Sequence, residues 1–192
     1  QMPGKLNYGY IVDENGNHVK DGAYSIKCAL TNYKYNYSIH TIVYNGSYSL
    51  TTTFKNGNLN GAFSTSYKLA VTGSSILGVD KGNISASMTG SFVNGVPNGA
   101  FNVTRNGELI TKLTANYKNG KLVGAYSCSL LDDDARVQQY SGTLTQDGKF
   151  TGAWKFNDAS MTFSNGVLIS KASKDRSTPP AVSAYAKKYA AG

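Results

Sequence analysis

A short sequence unit recurs along the chain, and residues 140–156 (YSGTLTQDGKFTGAWKF) form its clearest copy. At its centre, Asp147-Gly148 is a turn signal, because a type I′ turn needs positive φ at both central residues. Beyond the turn, Phe150, Gly152 and Trp154 alternate with polar or small residues, which places them on one face of a strand. The unit is therefore predicted to be a β-hairpin with one aromatic face and one polar face.

The other full copies have their turns at Asn56-Gly57, Asn94-Gly95 and Asn119-Gly120. In every copy a second glycine follows the turn glycine at a constant offset, which indicates an internal repeat. The glycine pairs are Gly57 and Gly61, Gly95 and Gly99, Gly120 and Gly124, and Gly148 and Gly152. A truncated copy follows at Asn165-Gly166, and a looser copy opens the chain at Asn15-Gly16.

The second glycine of each copy is predicted to lie on the aromatic face, where a missing Cβ leaves room for a ring from the neighbouring strand. The alternative is a bulge or turn glycine with no packing role. On the packing interpretation, Gly124→Val destabilises the protein by overpacking, whereas Ala125→Val on the opposite face is nearly neutral.

The fold class predicted from these alternating segments is all-β, an antiparallel β-hairpin repeat meander. Because a sheet with one apolar face must cover that face, the meander is expected to curl into an open barrel or roll. Residues 1–170 are predicted to form a single β-hairpin repeat domain. Residues 171–192 are predicted to be an extension with a short C-terminal capping helix, since Thr178 precedes Pro179-Pro180 and apolar residues follow at helical spacing. The alternative is a flexible tail or the start of a further segment.

Composition excludes several classes of protein. The 192 residues are 40% hydrophobic and 16% charged, which is typical of a globular chain rather than a disordered one. The net charge of +8 comes from lysines scattered along polar faces, so a basic soluble surface is favoured over a nucleic-acid site. Cys28 and Cys128 are predicted to be buried core residues, and whether they pair is left open.

Candidate catalytic residues are sparse, and the chain is predicted not to be an enzyme and to need no cofactor. His18 lies in a turn region, and His40 lies in a predicted strand without a paired carboxylate pattern. No nucleophile motif, phosphate loop or metal-ligand spacing is present. The acidic run Asp132 to Asp134 lacks the spacing of a calcium loop, so a solvated turn is expected there rather than a metal site.

Three tyrosines at period two, Tyr33, Tyr35 and Tyr37, are the candidate ligand-binding residues. If their rings face inward they belong to the core, which is the expected arrangement. If they face solvent, they form an aromatic platform for sugar rings or a peptide.

The pattern of aromatic residues and glycines in residues 140–152 resembles the MORN repeat, with one extra residue before the turn glycine, and is similar to bacterial MORN-variant repeats of antitoxin-like and secreted proteins. The resemblance covers about residues 54–168. Here Gly-Ala-aromatic replaces the usual Gly-x-Gly, and the period is longer and uneven. The resemblance implies a hairpin meander and a scaffolding, membrane-associated or protein-binding role, and it transfers no catalytic residue.

The expected function is a non-catalytic secreted or cell-surface repeat scaffold that presents a polar surface for protein binding. One alternative is a glycan-binding module that uses surface tyrosines, and another is an intracellular antitoxin-like or anionic-lipid-binding protein. The expected partner is therefore a protein or a glycan, with a membrane surface less favoured and nucleic acid not expected. The expected location is secreted, periplasmic or at the cell surface after removal of a signal peptide.

Overall fold

The computed structural model describes residues 4–37, 40–73, 82–106, 111–131 and 137–173. Of these residues 85% lie in strands and none in a helix, so the predicted all-β class is confirmed. Most of the extension predicted to carry the C-terminal helix, from residue 174 onward, lies outside the described residues. The run Asp132 to Asp134 also lies outside them.

Fourteen antiparallel strands form one meander sheet that does not close. The strands are β1 Gly4–Val12, β2 His18–Tyr37, β3 His40–Lys55, β4 Asn58–Leu59, β5 Gly61–Gly73, β6 Gly82–Val93, β7 Val96–Pro97, β8 Gly99–Asn106, β9 Thr111–Lys118, β10 Lys121–Leu131, β11 Val137–Leu144, β12 Phe150–Phe156, β13 Ala159–Ser164 and β14 Val167–Ser173. Neighbours in the sheet follow chain order, while β4 pairs with β3 and β7 pairs with β6. The predicted hairpin meander is therefore confirmed.

The chain divides into two compact units. The N-terminal unit comprises Gln1–Val96 and Val103–Glu108, and the C-terminal unit comprises Pro97–Asn102 and Leu109–Gly192. In the N-terminal unit, strand pairing places the aromatic and aliphatic residues of β1, β2, β3 and β5 on one face. Most of these side chains are half-buried; Ile42, Thr52 and Val71 are buried among those described. The face is apolar but incompletely covered.

The C-terminal unit has a denser core on β11, β12 and β13. Trp154 is only 2% exposed, and its indole Nε1 donates a hydrogen bond to the Thr143 carbonyl oxygen at 2.9 Å. The Phe150 ring lies 4.3 Å from the Trp154 ring, and Phe156 stacks on Trp154 at 5.8 Å. The buried cluster consists of Leu144, Phe150, Trp154, Phe156, Met161 and Phe163.

Three of the four predicted type I′ turns have the expected backbone. Asn56, Asn94 and Asn119 have φ of 49°, 50° and 50°, and each precedes a glycine with φ of 79° to 81°. A turn is also present at Asp147-Gly148, but the predicted type I′ backbone is wrong there. There, Gly148 alone has positive φ (82°), and the Thr145 N–H donates to the Lys149 carbonyl at 2.8 Å. The extra residue, Gln146, lengthens the loop to three residues, for which a single left-handed glycine is sufficient.

The packing role predicted for the second glycine is wrong at Gly124 and Gly152. Gly61, Gly99, Gly124 and Gly152 all have positive φ, from 67° to 107°. A Cβ built at Gly124 or Gly152 would meet no atom within 4 Å. Both lie in bulges, because strand pairing sets residues 124–126 opposite Ala115 and residues 152–154 opposite Gly142. The bulge alternative is therefore correct for these two glycines, which supply backbone conformation rather than space.

The close contact between a ring and backbone occurs instead on the partner strand. A Cβ at Gly142 would overlap the Trp154 ring. Ala115, which occupies the same position opposite the Gly124 bulge, is 1% exposed. Gly9 lies opposite the bulge at residues 21–23, where a Cβ would overlap the Asp21 carbonyl oxygen. Each of these bulges therefore faces a small residue on the neighbouring strand.

Four turn glycines link successive repeats by backbone hydrogen bonds. Each of them donates its N–H to a carbonyl of the preceding hairpin, two residues before that hairpin's bulge glycine, whereas Gly148 donates to the Thr145 carbonyl of its own turn. In two repeats an asparagine side chain extends the link, since Asn60 and Asn98 accept hydrogen bonds from the Asn94 and Asn119 N–H groups. The donor and acceptor pairs are Gly57 to Lys20 (2.8 Å), Gly95 to Leu59 (2.7 Å), Gly120 to Pro97 (2.9 Å) and Gly166 to Phe150 (2.8 Å).

Substitutions at Gly124 separate backbone strain from overpacking. Because φ is 67° there, Gly124→Ala is expected to lower the free energy of unfolding by about 1–2 kcal/mol. Gly124→Val should cost more, and Gly124→Asn less than alanine, since asparagine tolerates the left-handed region. Chemical denaturation of the three variants measures this order. Equal losses for the asparagine and valine variants, which add side chains of similar size, would instead indicate overpacking.

Candidate functional site

The predicted binding residues Tyr33 and Tyr35 face solvent, with exposed fractions of 52% and 48%. The expectation that they face inward is therefore wrong for these two rings, and the side chain of Tyr37 lies outside the described part of the chain. Within the described residues, Tyr33 and Tyr35 pair with β3, and the pairing of β1 with β2 extends to Gly4 opposite Cys28.

A bulge in β2 directs the two tyrosines. Leu30 pairs with Gly46 and Tyr33 with Tyr44, which leaves one extra residue in β2 and keeps the rings on the apolar face. Asn32 takes a φ of 49° in this bulge, and its N–H donates to the Asn45 side-chain oxygen at 2.8 Å. The bulge is thus fixed by a specific hydrogen bond.

Three rings define what is here called the tyrosine platform: Tyr33, Tyr35 and Tyr44. The Tyr33 and Tyr44 rings lie 6.2 Å apart and are tilted by 47°. Ile42, which pairs with Tyr35, is buried on the same face. The platform therefore places half-exposed aromatic rings beside a buried aliphatic residue, an arrangement suited to a ligand with an apolar face.

A second aromatic site lies on the hairpin of β1 and β2. It is an open cleft of about 310 Å³, here called the N-terminal cleft, lined by Leu6, Tyr8, Tyr10, His18, Lys20 and Tyr24. Sequence reasoning missed this site. The signal was present, because Leu6, Tyr8 and Tyr10 alternate at period two and lie on one face of a strand.

The rings of the N-terminal cleft contact one another directly. His18 stacks on Tyr10 with ring centroids 4.3 Å apart, and Tyr10 lies 6.3 Å from Tyr8. The Lys20 ammonium lies 4.8 Å from the centre of the Tyr24 ring and 5.2 Å from that of Phe54. The cleft therefore places one cation among aromatic walls.

The turn beside this cleft is held by Asp13. Hydrogen bonds from the Asn17 side chain and backbone, and from the Asn15 N–H, hold the pKa of the Asp13 carboxyl below its ordinary value of 3.8. Because the pKa of Asp13 is lowered in the folded protein, the ionised carboxylate fully stabilises the turn above its ordinary pKa of 3.8. This stabilisation is lost as the pH falls through the lowered, folded-state pKa.

The remaining titratable and sulfur-containing residues are dispersed. Cys128 is buried and Cys28 half-buried, and both thiols are free. His40 belongs to β3, but its side chain lies outside the described part of the structure. Within the described ranges, no three His, Cys, Asp or Glu residues cluster in a way that could hold a metal ion. Those ranges also contain no helix of the length and apolarity needed to cross a bilayer.

Comparison with known proteins does not assign this chain to a family. No family model, curated protein or solved structure matches it. The platform and the cleft are therefore interpreted from their own chemistry.

Proposed function

We propose that this protein is a non-catalytic scaffold that binds glycans through the tyrosine platform. The observation that supports this proposal is the half-exposure of Tyr33 and Tyr35 on an incompletely covered apolar face, beside the buried Ile42. Exposed tyrosine rings can pack against the C–H faces of sugar rings, and their phenol oxygens can form hydrogen bonds with sugar hydroxyls.

The spacing of the platform suits a chain of sugars rather than a single small molecule. Tyr33 and Tyr35 are two residues apart on one strand, so their Cα atoms are separated by about 6.7 Å. Tyr44 extends the aromatic surface across to β3. Successive sugar units can then contact successive rings, and the open face leaves both ends of an oligosaccharide unobstructed by the platform itself.

Alanine substitutions on the platform test the proposal. Tyr33→Ala and Tyr35→Ala are each expected to weaken oligosaccharide binding by about 3- to 10-fold, since a ring contact contributes ~0.5–1.5 kcal/mol. The measurement is a glycan array followed by calorimetric titration of the strongest ligand. Lys34→Ala, between the two tyrosines on the opposite face, is the matched control. Equal affinity of all three variants and the wild type would contradict the proposal.

A second candidate function, protein binding, is favoured by a different observation. The terminal strand β14 exposes apolar side chains, with Val167 at 63%, Leu168 at 44% and Ile169 at 62%. It is the last strand in the sheet order, and such edges accept an extended peptide as an added strand. On this account a displayed peptide library yields extended apolar binders whose affinity falls in Ile169→Lys but not in Tyr33→Ala. A library without such binders would contradict it.

We also propose a shape for the C-terminal unit, a repeat type and a location for the protein. We infer that the sheet of the C-terminal unit curls over its aromatic cluster as an open roll. The repeat is MORN-like in its hairpin and glycine spacing, and the scaffold acts outside the cell, where glycans are displayed. The support for this is the ring packing around Trp154 and the polar composition of the opposite face.

A further inference from the structure

We propose that the N-terminal cleft is a separate binding site for a carboxylate-bearing saccharide, such as one that contains a uronic acid. This inference goes beyond the proposed function, because it uses different residues and a charged ligand. It can fail while the tyrosine platform still binds neutral glycans.

The shape of the cleft follows from the register of β1 and β2. Tyr10 pairs with Lys20 and Val12 with His18, and on the other side of the bulge at Gly9, Tyr8 pairs with Tyr24. The bulge inserts two extra residues in β2 opposite Gly9, yet the aromatic residues on both sides of it stay on one face. Rings from both strands therefore form the walls of one site.

The charge of the cleft selects an anion. None of its six lining residues carries a carboxylate, and Lys20 supplies the one fixed positive charge among them. The Lys20 ammonium is held over the rings of Tyr24 and Phe54. An incoming carboxylate can accept a charge-assisted hydrogen bond from this ammonium without displacing an acidic side chain from the cleft. The acidic neighbour in the turn, Asp13, is already engaged by Asn17 and Asn15.

The position of Lys20 is fixed before a ligand arrives. Its carbonyl oxygen accepts a 2.8 Å hydrogen bond from the Gly57 N–H of the next repeat. Gly22, with φ of 86°, forms the bulge immediately after it. Because this backbone is held, binding a ligand orders only the side chain, which lowers the entropic cost.

The walls select a sugar as the carrier of the acid. The stacked Tyr10 and His18 rings supply aromatic contact surface, and Leu6 adds an aliphatic contact. A volume of about 310 Å³ is at the small end of the range for ligand pockets and suits one or two sugar rings. A pyranose can place its C–H face on the aromatic wall while its carboxylate contacts the Lys20 ammonium.

Calorimetric titration with matched disaccharides tests the proposal. The probes are a disaccharide of glucuronate and glucose, the corresponding all-glucose disaccharide, and one that carries sulfate in place of the carboxylate. The wild type is expected to bind the uronate at least tenfold more tightly than the neutral sugar. Lys20→Gln should abolish this preference, whereas Lys27→Gln, an exposed lysine on the opposite face of β2, should retain it.

Two further variants locate the site. Tyr10→Ala should weaken binding of the uronate about 3- to 10-fold, because it removes one aromatic wall, while Tyr33→Ala should leave it unchanged. The proposal is overturned if the uronate does not bind, if Lys20→Gln behaves like Lys27→Gln, or if Tyr33→Ala removes binding. It is also overturned if the sulfated sugar binds as tightly, since the cleft would then select negative charge alone. Circular dichroism of each variant verifies that the fold is retained.

Discussion

Replacing Trp154 with alanine is expected to lower the free energy of unfolding by about 3–5 kcal/mol, the usual cost of truncating a large buried aromatic side chain. Trp154 is 2% exposed and contacts Phe150 and Phe156. Its indole also satisfies the Thr143 carbonyl, so truncation removes a hydrogen bond along with the packed ring. Denaturation followed by circular dichroism measures the loss, since the substitution removes the single tryptophan of the chain.

The matched control for this variant is Tyr33→Ala. The Tyr33 ring is half-exposed on the platform, so its removal is expected to cost less than about 1 kcal/mol. A Trp154→Ala variant with the stability of Tyr33→Ala would show that the aromatic cluster of the C-terminal unit does not hold that unit together.

The second large effect is expected at Gly142. A Cβ at this position would overlap the Trp154 ring, and the ring cannot withdraw without leaving the cluster. Gly142→Ala is therefore expected to cost about 3 kcal/mol, at the upper end of the usual range for overpacking. Denaturation followed by fluorescence of Trp154 reports both the loss of stability and any displacement of the indole.

Two variants, one at a glycine and one at a serine, are the controls for Gly142→Ala. Gly152→Ala adds a methyl group where no atom lies within 4 Å, so its cost should be the ~1–2 kcal/mol of a left-handed backbone alone. Ser141→Ala, beside Gly142 on the other face, should be nearly neutral. If Gly152→Ala proved more destabilising than Gly142→Ala, the Trp154 ring would not be closely packed against the backbone of β11.

The turns and faces were predictable because they depend on local chemistry. Asn-Gly pairs favour type I′ turns through the φ values of two adjacent residues, and alternation fixes the face of each strand. The bulges could only be proposed as an alternative from the sequence, since they depend on how two strands pair. Gly124 and Gly152 look like face residues in sequence, and only the pairing with Ala115 and Gly142 shows the extra residues.

The exposure of the platform also depended on a relation between distant residues. Tyr33 and Tyr35 match a core pattern, but burial depends on which distant residues pack over that face, and local alternation does not contain this information. The N-terminal cleft was missed for the same reason. Its aromatic residues were visible in β1, but the pairing of Tyr10 with Lys20 across the hairpin was not.

The central claim, that the tyrosine platform binds glycans, is tested most directly by following the tyrosine rings themselves. In a protein with isotope-labelled tyrosine, NMR titration with neutral oligosaccharides should shift the ring signals of Tyr33, Tyr35 and Tyr44. The signals of the half-buried Tyr126 and Tyr140 of the C-terminal unit should stay in place. Saturable shifts confined to the platform are the result predicted here. A titration in which the platform signals remain unchanged up to millimolar sugar, or move no more than those of Tyr126 and Tyr140, would contradict it.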